Sequence, residues 1–216
     1  MAVITLSREY GSGGGALSQM IHNSLRYKLA DKQLIEQVLR TYGLTTLDEV
    51  YHTTHNIWSR LDSQTMELVR MLNNTIRAFS KHDGTLIIGR GGFVVLQDYQ
   101  NVLNVFLRAP FDYRVRMVMD TEGVHDILEA EEQVRQSDKA RVSFLQIFHD
   151  IKPDSPQNFN LVIDTSRIPL HMAASLVIEA ARNIDLRKPD PARSTASIEV
   201  DPVLGRIVEE TLSKQA

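Results

Sequence analysis

The sequence contains no cysteine, a single tryptophan and no excess of basic over acidic residues. The lack of cysteine excludes disulfide bonds, thiolate chemistry and cysteine-based zinc sites. The net charge of −3 argues against a dedicated nucleic-acid-binding surface, because such surfaces carry a basic excess. No stretch approaches the roughly 18 uninterrupted apolar residues of a membrane span, and no signal-peptide pattern opens the chain. We therefore expect a cytoplasmic protein that binds neither membranes nor nucleic acid.

What the chain does contain is a globular composition, with 43% hydrophobic and 24% charged residues among 216. Four short apolar runs predict buried strands, at residues 3–6, 85–88, 102–107 and 161–163. A shorter second strand is expected at 27–31. Apolar residues at three- and four-residue spacing predict helices over 32–42, 47–82 and 111–148. Buried strands that alternate with helices indicate an α/β fold with a parallel sheet.

A glycine-rich segment follows the first predicted strand and leads directly into a helical pattern. Its residues are Gly11, Ser12, Gly13, Gly14 and Gly15. Glycines allow backbone N–H groups to approach a phosphate without interference from Cβ atoms, and a helix N-terminus adds partial positive charge. The order of strand, glycines and helix therefore predicts a phosphate-binding loop and a nucleotide ligand.

Polar residues also follow the other predicted strands, at Asp31, Arg90 and Asp164. In an open parallel sheet the carboxyl ends of the strands meet at one edge, and ligands bind in the crevice beyond it. We therefore expect these side chains and the glycine loop to form a single site. Asp164 is either a ligand there or the acceptor of a local Asx turn.

Several segments in register resemble the cytidylate kinase-like branch of the P-loop nucleoside monophosphate kinases. They are SREYGSGG (7–14), IGRGG (88–92), RAPFDYR (108–114), SDKAR (137–141) and LVIDTS (161–166). The resemblance covers residues 1–184 and implies a P-loop NTPase-type parallel sheet flanked by helices, with a helical lid at about 120–150. It also implies transfer of the γ-phosphate of ATP, bound with Mg²⁺, to a nucleoside monophosphate such as CMP or dCMP. Such transfer depends on positioning and charge neutralisation.

The same resemblance implies a role for each polar residue of the site. Arg8 and loop residues 11–15 would bind the ATP phosphates, while Arg90, Asp31 and Arg70 would bind the acceptor monophosphate. The catalytic residues implied in the lid are Arg135, Asp138 and Arg141. The two arginines would close over the transferred group, and Asp138 would orient Arg141 or contact the base or sugar. Arginine suits these roles because its planar fork stays charged and binds phosphate oxygens in pairs.

Three positions depart from the pattern of that family. Gly15 stands where a lysine would bridge the β- and γ-phosphates, Gly91 where an aspartate follows the Gly-Arg pair, and Gln37 where an arginine is expected. Arg8 is the candidate replacement for the lysine, and Ser12 or Ser18 for the hydroxyl group that holds magnesium. Because these departures remove charge, they affect catalysis more than binding.

Two alternatives therefore stay open. A nucleotide sensor or scaffold on the same fold would bind without transferring phosphate, and the missing lysine favours it. A dinucleotide-binding oxidoreductase of the Rossmann type would use Gly11, Gly13 and Ala16 as its fingerprint. That second alternative leaves the arginine-rich lid unexplained.

The remaining features have structural interpretations. Arg114 and Arg116 are expected to be solvated helix charges, the seven histidines to be surface or satisfied core groups with no metal role, and Trp58 to lie in the core. Residues 185–200 have the composition of a linker, and 201–216 are predicted to form a C-terminal helix. That helix packs either on its own domain or on a neighbouring subunit, which would create a homo-oligomer.

Overall fold

The computed structural model describes residues 1–43, 63–151, 155–187 and 189–214. Five parallel strands form one sheet in the order β2-β3-β1-β4-β5. In chain order the strands are β1 Val3–Arg8, β2 Lys28–Ala30, β3 Thr85–Ile88, β4 Val102–Arg108 and β5 Leu161–Asp164. The predicted parallel α/β sheet is therefore confirmed, including its short second strand.

Helices flank the sheet. They are α1 Gly14–Leu25, α2 Lys32–Thr41, α3 Ser63–Ser80, α4 Gly92–Val95, α5 Phe111–Glu122, α6 Ile127–His149, α7 Leu170–Asp185 and α8 Pro202–Ser213. The helix predicted over 111–148 is two helices, because Gly123 adopts a φ of 70° and ends α5. The helix predicted over 47–82 is seen from residue 63 onward, and Trp58, His52 and His55 lie outside the described residues.

The central strand aligns the carboxyl ends of its neighbours. Leu6 of β1 pairs with Ile88 of β3, and Arg8 pairs with Leu107 of β4. The segments that follow these three strands consequently share one edge of the sheet. Since β1 lies between β3 and β4, the order also differs from that of dinucleotide-binding folds, in which β1 lies between β2 and β4. This topology disfavours the oxidoreductase alternative.

Apolar side chains bury both faces of the sheet. One core lies against α2, α3 and α8, and the other lies against α1 and α7. A third and smaller core joins α5 to α6 and includes Tyr10 of the glycine loop. The helical lid is therefore packed against the loop that is predicted to bind phosphate.

The segment after α7 packs on the same chain. Buried Asn101 and Thr195 exchange two hydrogen bonds, of 2.8 and 2.9 Å. Leu204, Val208 and Leu212 of α8 are buried against α2 and α3. The C-terminal helix therefore packs on its own domain. The domain boundaries predicted at residues 184 and 200 stay a prediction.

Within the described ranges, no helix combines the length and apolar character needed to cross a membrane.

Candidate nucleotide-binding site

The glycine loop comprises residues 9–15, of which 9–13 join the end of β1 to α1 and the last two form the start of that helix. Gly11 and Gly13 have φ values of 81° and 83°, in the left-handed region that favours glycine. A Cβ atom at Gly11 would lie 2.5 Å from the carbonyl oxygen of Arg114, so the loop runs directly against α5. Gly13 has no side chain to cap the first N–H groups of α1. These groups form the kind of helix N-terminus that binds anions.

The two serines of this region are buried and stabilise the loop backbone. Ser12 Oγ donates to the carbonyl of Glu9 at 2.7 Å, and Ser18 Oγ donates to the carbonyl of Gly15 at 2.7 Å. Their exposed fractions are 1% and 3%. Because their protons are used in this way, only the oxygen lone pairs would be available to a magnesium ion.

Arg8 extends from the end of β1 across two glycines. Its Cγ lies 2.9 Å from the position that a Cβ atom would take at Gly14. Its Nη1 lies against the corresponding position at Gly89, the first residue after β3. A side chain at either glycine would displace Arg8. The stem of Arg8 therefore packs on the glycine loop, and its guanidinium lies at the first residue of the loop 89–91.

Gly15, at the expected lysine position, faces open space. No atom of the residues that the structure describes lies within 4 Å of the place its Cβ would occupy. A lysine would fit there, so packing does not explain its replacement. Arg8 is a cation whose stem the fold packs on the neighbouring Gly14.

Arg90 forms a buried ion pair with Glu36 of α2. Its backbone φ is 56°, an uncommon value for a residue with a side chain. Its Nη2 donates to Glu36 Oε1 at 2.7 Å, and the two side chains are 9% and 10% exposed. Lys32 Nζ and Arg40 Nη2 lie 3.9 and 3.8 Å from the same carboxylate. The carboxylate is thus surrounded by cations.

Asp31 and Arg70 both have local partners. Asp31 Oδ1 accepts a 2.9 Å hydrogen bond from the N–H of Leu34 and so caps α2, the helix that carries Glu36. Arg70 is exposed on α3 and donates to both carboxylate oxygens of Glu67, at 2.9 and 2.7 Å. Asp31 follows a strand at the same edge as Arg90, whereas the pair formed by Arg70 lies within one helix. Their roles in acceptor binding stay predictions.

The expectation that Arg114 is solvated is wrong, since only 5% of this residue is exposed. Its Nε, Nη1 and Nη2 donate to Ala109 O at 3.0 Å, Tyr10 O at 3.2 Å and Asp138 Oδ2 at 2.8 Å. Nε also lies 3.5 Å from Glu9 Oε2. One guanidinium therefore connects the glycine loop, the end of β4 and the lid helix α6.

A sequence signal for this burial exists. Arg114 precedes Val115, and Val118 follows one helical turn later, so the arginine borders an apolar stripe that is buried against α6. The partner Glu9 also accepts the N–H of Ala109 at 2.9 Å. The charge of a carboxylate inside the predicted phosphate loop is thus balanced by Arg114.

Asp138 and Arg141 of α6 lie near the sheet. Asp138 Oδ2 receives the hydrogen bond from Arg114, a contact that the sequence reasoning did not anticipate. Asp138 Oδ1 is buried and has no hydrogen-bond partner among the described residues. The guanidinium carbon of Arg141 lies 5.4 Å from the ring centre of Phe106, on β4. Arg141 therefore lies beside β4, near the carboxyl end of that strand.

Arg135 lies on the more exposed part of the lid. Its guanidinium is 4.3 Å from the ring centre of Phe111 and 3.2 Å from Glu131 Oε2. The side chain is 60% exposed. Stacking and an exposed ion pair of this kind hold the arginine weakly, and its catalytic role stays a prediction.

Two further residues complete the edge. Asp164 Oδ1 accepts hydrogen bonds from the hydroxyl and N–H of Ser166, at 2.6 and 3.0 Å, and these bonds lower the pKa of Asp164. This is the Asx turn considered above.

His149 is not a satisfied core group. Its Nε2 is buried without a hydrogen-bond partner among the described residues, and burial lowers the pKa of the imidazole.

Comparisons with known proteins agree with this architecture. A model of the cytidylate kinase-like family matches residues 3–167. An uncharacterized protein from Eubacterium ventriosum superposes with a TM-score of 0.68 at 22% identity, over 84% of this chain and 98% of that one. A shikimate kinase from Bacteroides thetaiotaomicron superposes with a TM-score of 0.53 at 14% identity, over the same shares of 84% and 98%. These two likenesses show the fold.

A curated relative matches only in part. A uronate isomerase from Corynebacterium glutamicum is 30% identical over 97 residues, which is 45% of this chain and 18% of that protein. The chain therefore spans less than a fifth of the length of this relative.

Proposed function

Because the chain belongs to the cytidylate kinase-like family, we propose that it transfers the γ-phosphate of ATP to a nucleoside monophosphate, CMP or dCMP. The observation that carries this proposal is the meeting of the glycine loop, Arg8 and Arg90 at one edge of the parallel sheet. The kinase-like P-loop fold itself supports a nucleotide-binding phosphotransferase.

The ATP phosphates bind on the glycine loop in this proposal. Backbone N–H groups at the start of α1 hold phosphate oxygens, and Arg8 supplies the positive charge that a lysine at position 15 would otherwise provide. The packing of Arg8 supports this role, since its stem lies over Gly14 of the glycine loop and its guanidinium lies at Gly89, near the converging strand ends.

Magnesium enters the proposed reaction as part of the MgATP substrate. The described residues include no group of three histidine or acidic side chains that would bind a metal ion together. In kinases the phosphate oxygens supply much of the coordination, and the ion neutralises charge on the phosphates. Ser12 of the loop and Ser18 of α1 are the hydroxyl groups that could bind the ion through their oxygen lone pairs.

The acceptor phosphate binds at Arg90. Glu36 accepts one hydrogen bond from this guanidinium, which carries five N–H donors in a planar fork that matches phosphate oxygens. Lys32 and Arg40 leave the surroundings of Glu36 with an excess of positive charge, which favours an anionic acceptor. Asp31 contributes by holding the start of α2 in place.

In the transfer step an oxygen of the acceptor phosphate attacks the γ-phosphorus of ATP. The bond between that phosphorus and the bridging oxygen of the β-phosphate breaks, so ADP and a nucleoside diphosphate are formed. Arg141, with Arg135, neutralises charge on the transferred group from the lid. The location of Arg141 over the end of β4 supports this assignment.

A second candidate function is a nucleotide sensor or scaffold that binds without transfer. The observation that favours it is the open space at Gly15, where the lysine of an active P-loop enzyme would stand. Binding through the backbone of the glycine loop does not require that lysine, whereas transfer depends on charge at the γ-phosphate.

A coupled ADP-release assay with MgATP and CMP, dCMP, UMP, AMP or GMP, run beside thermal-shift measurements, separates the two functions. Turnover with a pyrimidine monophosphate is the expected result. Stabilisation by nucleotides without turnover would favour the sensor, and neither effect with any nucleotide would contradict both proposals. Cytoplasmic location and assembly into a homo-oligomer stay predictions.

A further inference from the structure

His149, the last residue of α6, lies over the loop that follows β3. Its Nε2 atom is buried and forms no hydrogen bond to any residue that the structure describes. The atom is 3.2 Å from the position that a Cβ would occupy at Gly91, the neighbour of Arg90. Burying a polar atom without a partner is unfavourable. Such a cost at the edge of a ligand site indicates that a ligand supplies the partner.

The surroundings of His149 fix the orientation of its ring. Gly91 has a φ of 73°, and a side chain there would meet His149 and also Phe144, at 3.5 Å. The rings of Phe144 and His149 pack edge to face with their centres 5.7 Å apart. The Cβ position of Gly91 is therefore bordered by a polar atom, Nε2, and by the apolar ring of Phe144. A planar aromatic base suits such a combination.

The lid helix carries a second buried polar atom without a partner on the same face. Asp138 Oδ1 has no hydrogen bond within the described parts of the chain. His149 follows Asp138 by 11 residues, which is about three helical turns and roughly 16 Å along one stripe. Arg141 lies between them. Asp138 is linked to the glycine loop through Arg114, whereas His149 contacts the acceptor loop, so this stripe spans both halves of the site.

We propose that His149 is a specificity-determining residue of the acceptor pocket, where its Nε2 hydrogen-bonds the edge of the acceptor base while Arg90 binds the acceptor phosphate. This inference rests on the proposed function. A neutral imidazole offers one donor and one acceptor nitrogen, so it can pair with either kind of polar group on the edge of a base.

The test compares His149→Phe, which keeps a planar ring and removes the nitrogen, with His149→Gln, which keeps a neutral polar group. KM and kcat are measured for CMP, dCMP, UMP, AMP and GMP at saturating MgATP, together with the melting temperature. We expect His149→Phe to raise the KM of the best monophosphate by about tenfold, the effect of one hydrogen bond, and to reduce discrimination between bases. Its KM for ATP should stay within about twofold of wild type, and His149→Gln should recover part of the loss.

Stability separates this role from a structural one. Because His149→Phe removes a buried atom without a partner, the variant should melt no lower than the wild-type protein. His171→Phe, at an exposed histidine on α7, is the matched control and should change neither constant.

The outcomes distinguish the inference from the function on which it rests. A folded, active His149→Phe variant with unchanged KM and base preference would overturn the inference alone. An equal loss of ATP and acceptor affinity would assign His149 a structural role and overturn it as well. A wild-type protein that neither binds nor converts any monophosphate would overturn the proposed function and the inference together.

Discussion

The guanidinium of Arg114 donates a 2.8 Å hydrogen bond to the carboxylate of Asp138 and thereby joins α5 to the lid helix α6. The same guanidinium donates to the carbonyl of Tyr10 in the glycine loop, and the Tyr10 side chain packs into the small core between the two helices. A polar and an apolar contact therefore connect the lid to the loop.

Replacement of Arg114 tests this connection. Arg114→Met should lower the free energy of unfolding by about 2–4 kcal/mol, because Asp138 and Glu9 lose their cation in a partly buried environment. Urea denaturation measures the loss, and Arg116→Met, at an exposed arginine of the same helix, is the control. Equal stability of the two variants would show that the Arg114 contacts contribute little to the free energy of unfolding.

Gly89→Ala tests the placement of Arg8. Gly89 and Gly123 have nearly equal φ values, 71° and 70°, so alanine introduces a similar backbone strain at each. Only at Gly89 does the new methyl group meet Arg8, whereas the Cβ position at Gly123 has no described atom within 4 Å. Gly89→Ala should weaken ATP binding by about tenfold beyond Gly123→Ala in calorimetric titrations. Equal ATP affinities of the two variants would show that Arg8 does not contribute to phosphate binding.

Gly15→Lys tests whether position 15 corresponds to the lysine of the P-loop. Open space at this residue allows the substitution without a clash. We expect ATP affinity to rise by about fivefold or more, since the new ammonium group reaches the phosphates. Gly15→Ala controls for the change in helix propensity. A folded Gly15→Lys variant with the affinity of Gly15→Ala would indicate that the loop binds phosphate in another register.

Arg90→Ala should weaken monophosphate binding much more than ATP binding. The substitution also leaves Glu36 buried without its closest cation, which lowers stability. The double variant Arg90→Ala/Glu36→Gln removes that charge and should regain stability without regaining acceptor affinity. Thermal unfolding and titration with CMP measure the two effects separately. Equal loss of ATP and CMP affinity in the double variant would contradict the assignment of Arg90 to the acceptor side.

Two histidines contribute to the pH dependence of stability. Burial lowers the pKa of His149 in the folded protein, and burial together with nearby Lys28 lowers that of His82. Below the unfolded pKa of about 6.5 the unfolded chain binds more protons than the folded chain, so stability falls as pH decreases through that region. Urea unfolding should show that the free energy of unfolding falls between pH 7.5 and 5. The His149→Phe variant should lose less of this free energy over the same range than the wild-type protein. If the free energy of unfolding of this variant depended on pH as steeply as that of the wild-type protein, burial of a neutral His149 would be contradicted.

Local patterns allowed the sheet and the glycine loop to be predicted. The strands are short apolar runs with polar residues at their ends, and the turn needs residues such as Gly11 and Gly13 that adopt positive φ. Both signals lie within a few residues of sequence. The break between α5 and α6 had a local signal as well, since Gly123 interrupts the helical pattern.

Pairings between distant residues could not be predicted in the same way. Arg90 and Glu36 lie 54 positions apart, and Arg114 and Asp138 lie 24 apart, so only the packed fold brings them together. The unpartnered Nε2 of His149 likewise depends on the arrival of α6 over Gly91. Sequence patterns locate charged residues, but burial decides which of them pair with each other and which can face a ligand.

Transfer of radiolabel from the γ-phosphate of ATP to CMP is the most direct test of the central claim, because it identifies the acceptor and not merely ATP consumption. Labelled CDP should form only when MgATP and CMP are both present, and Arg90→Ala should greatly reduce it. Release of the label solely as inorganic phosphate, or retention of all label in ATP by a protein that binds both nucleotides, would contradict a nucleoside monophosphate kinase.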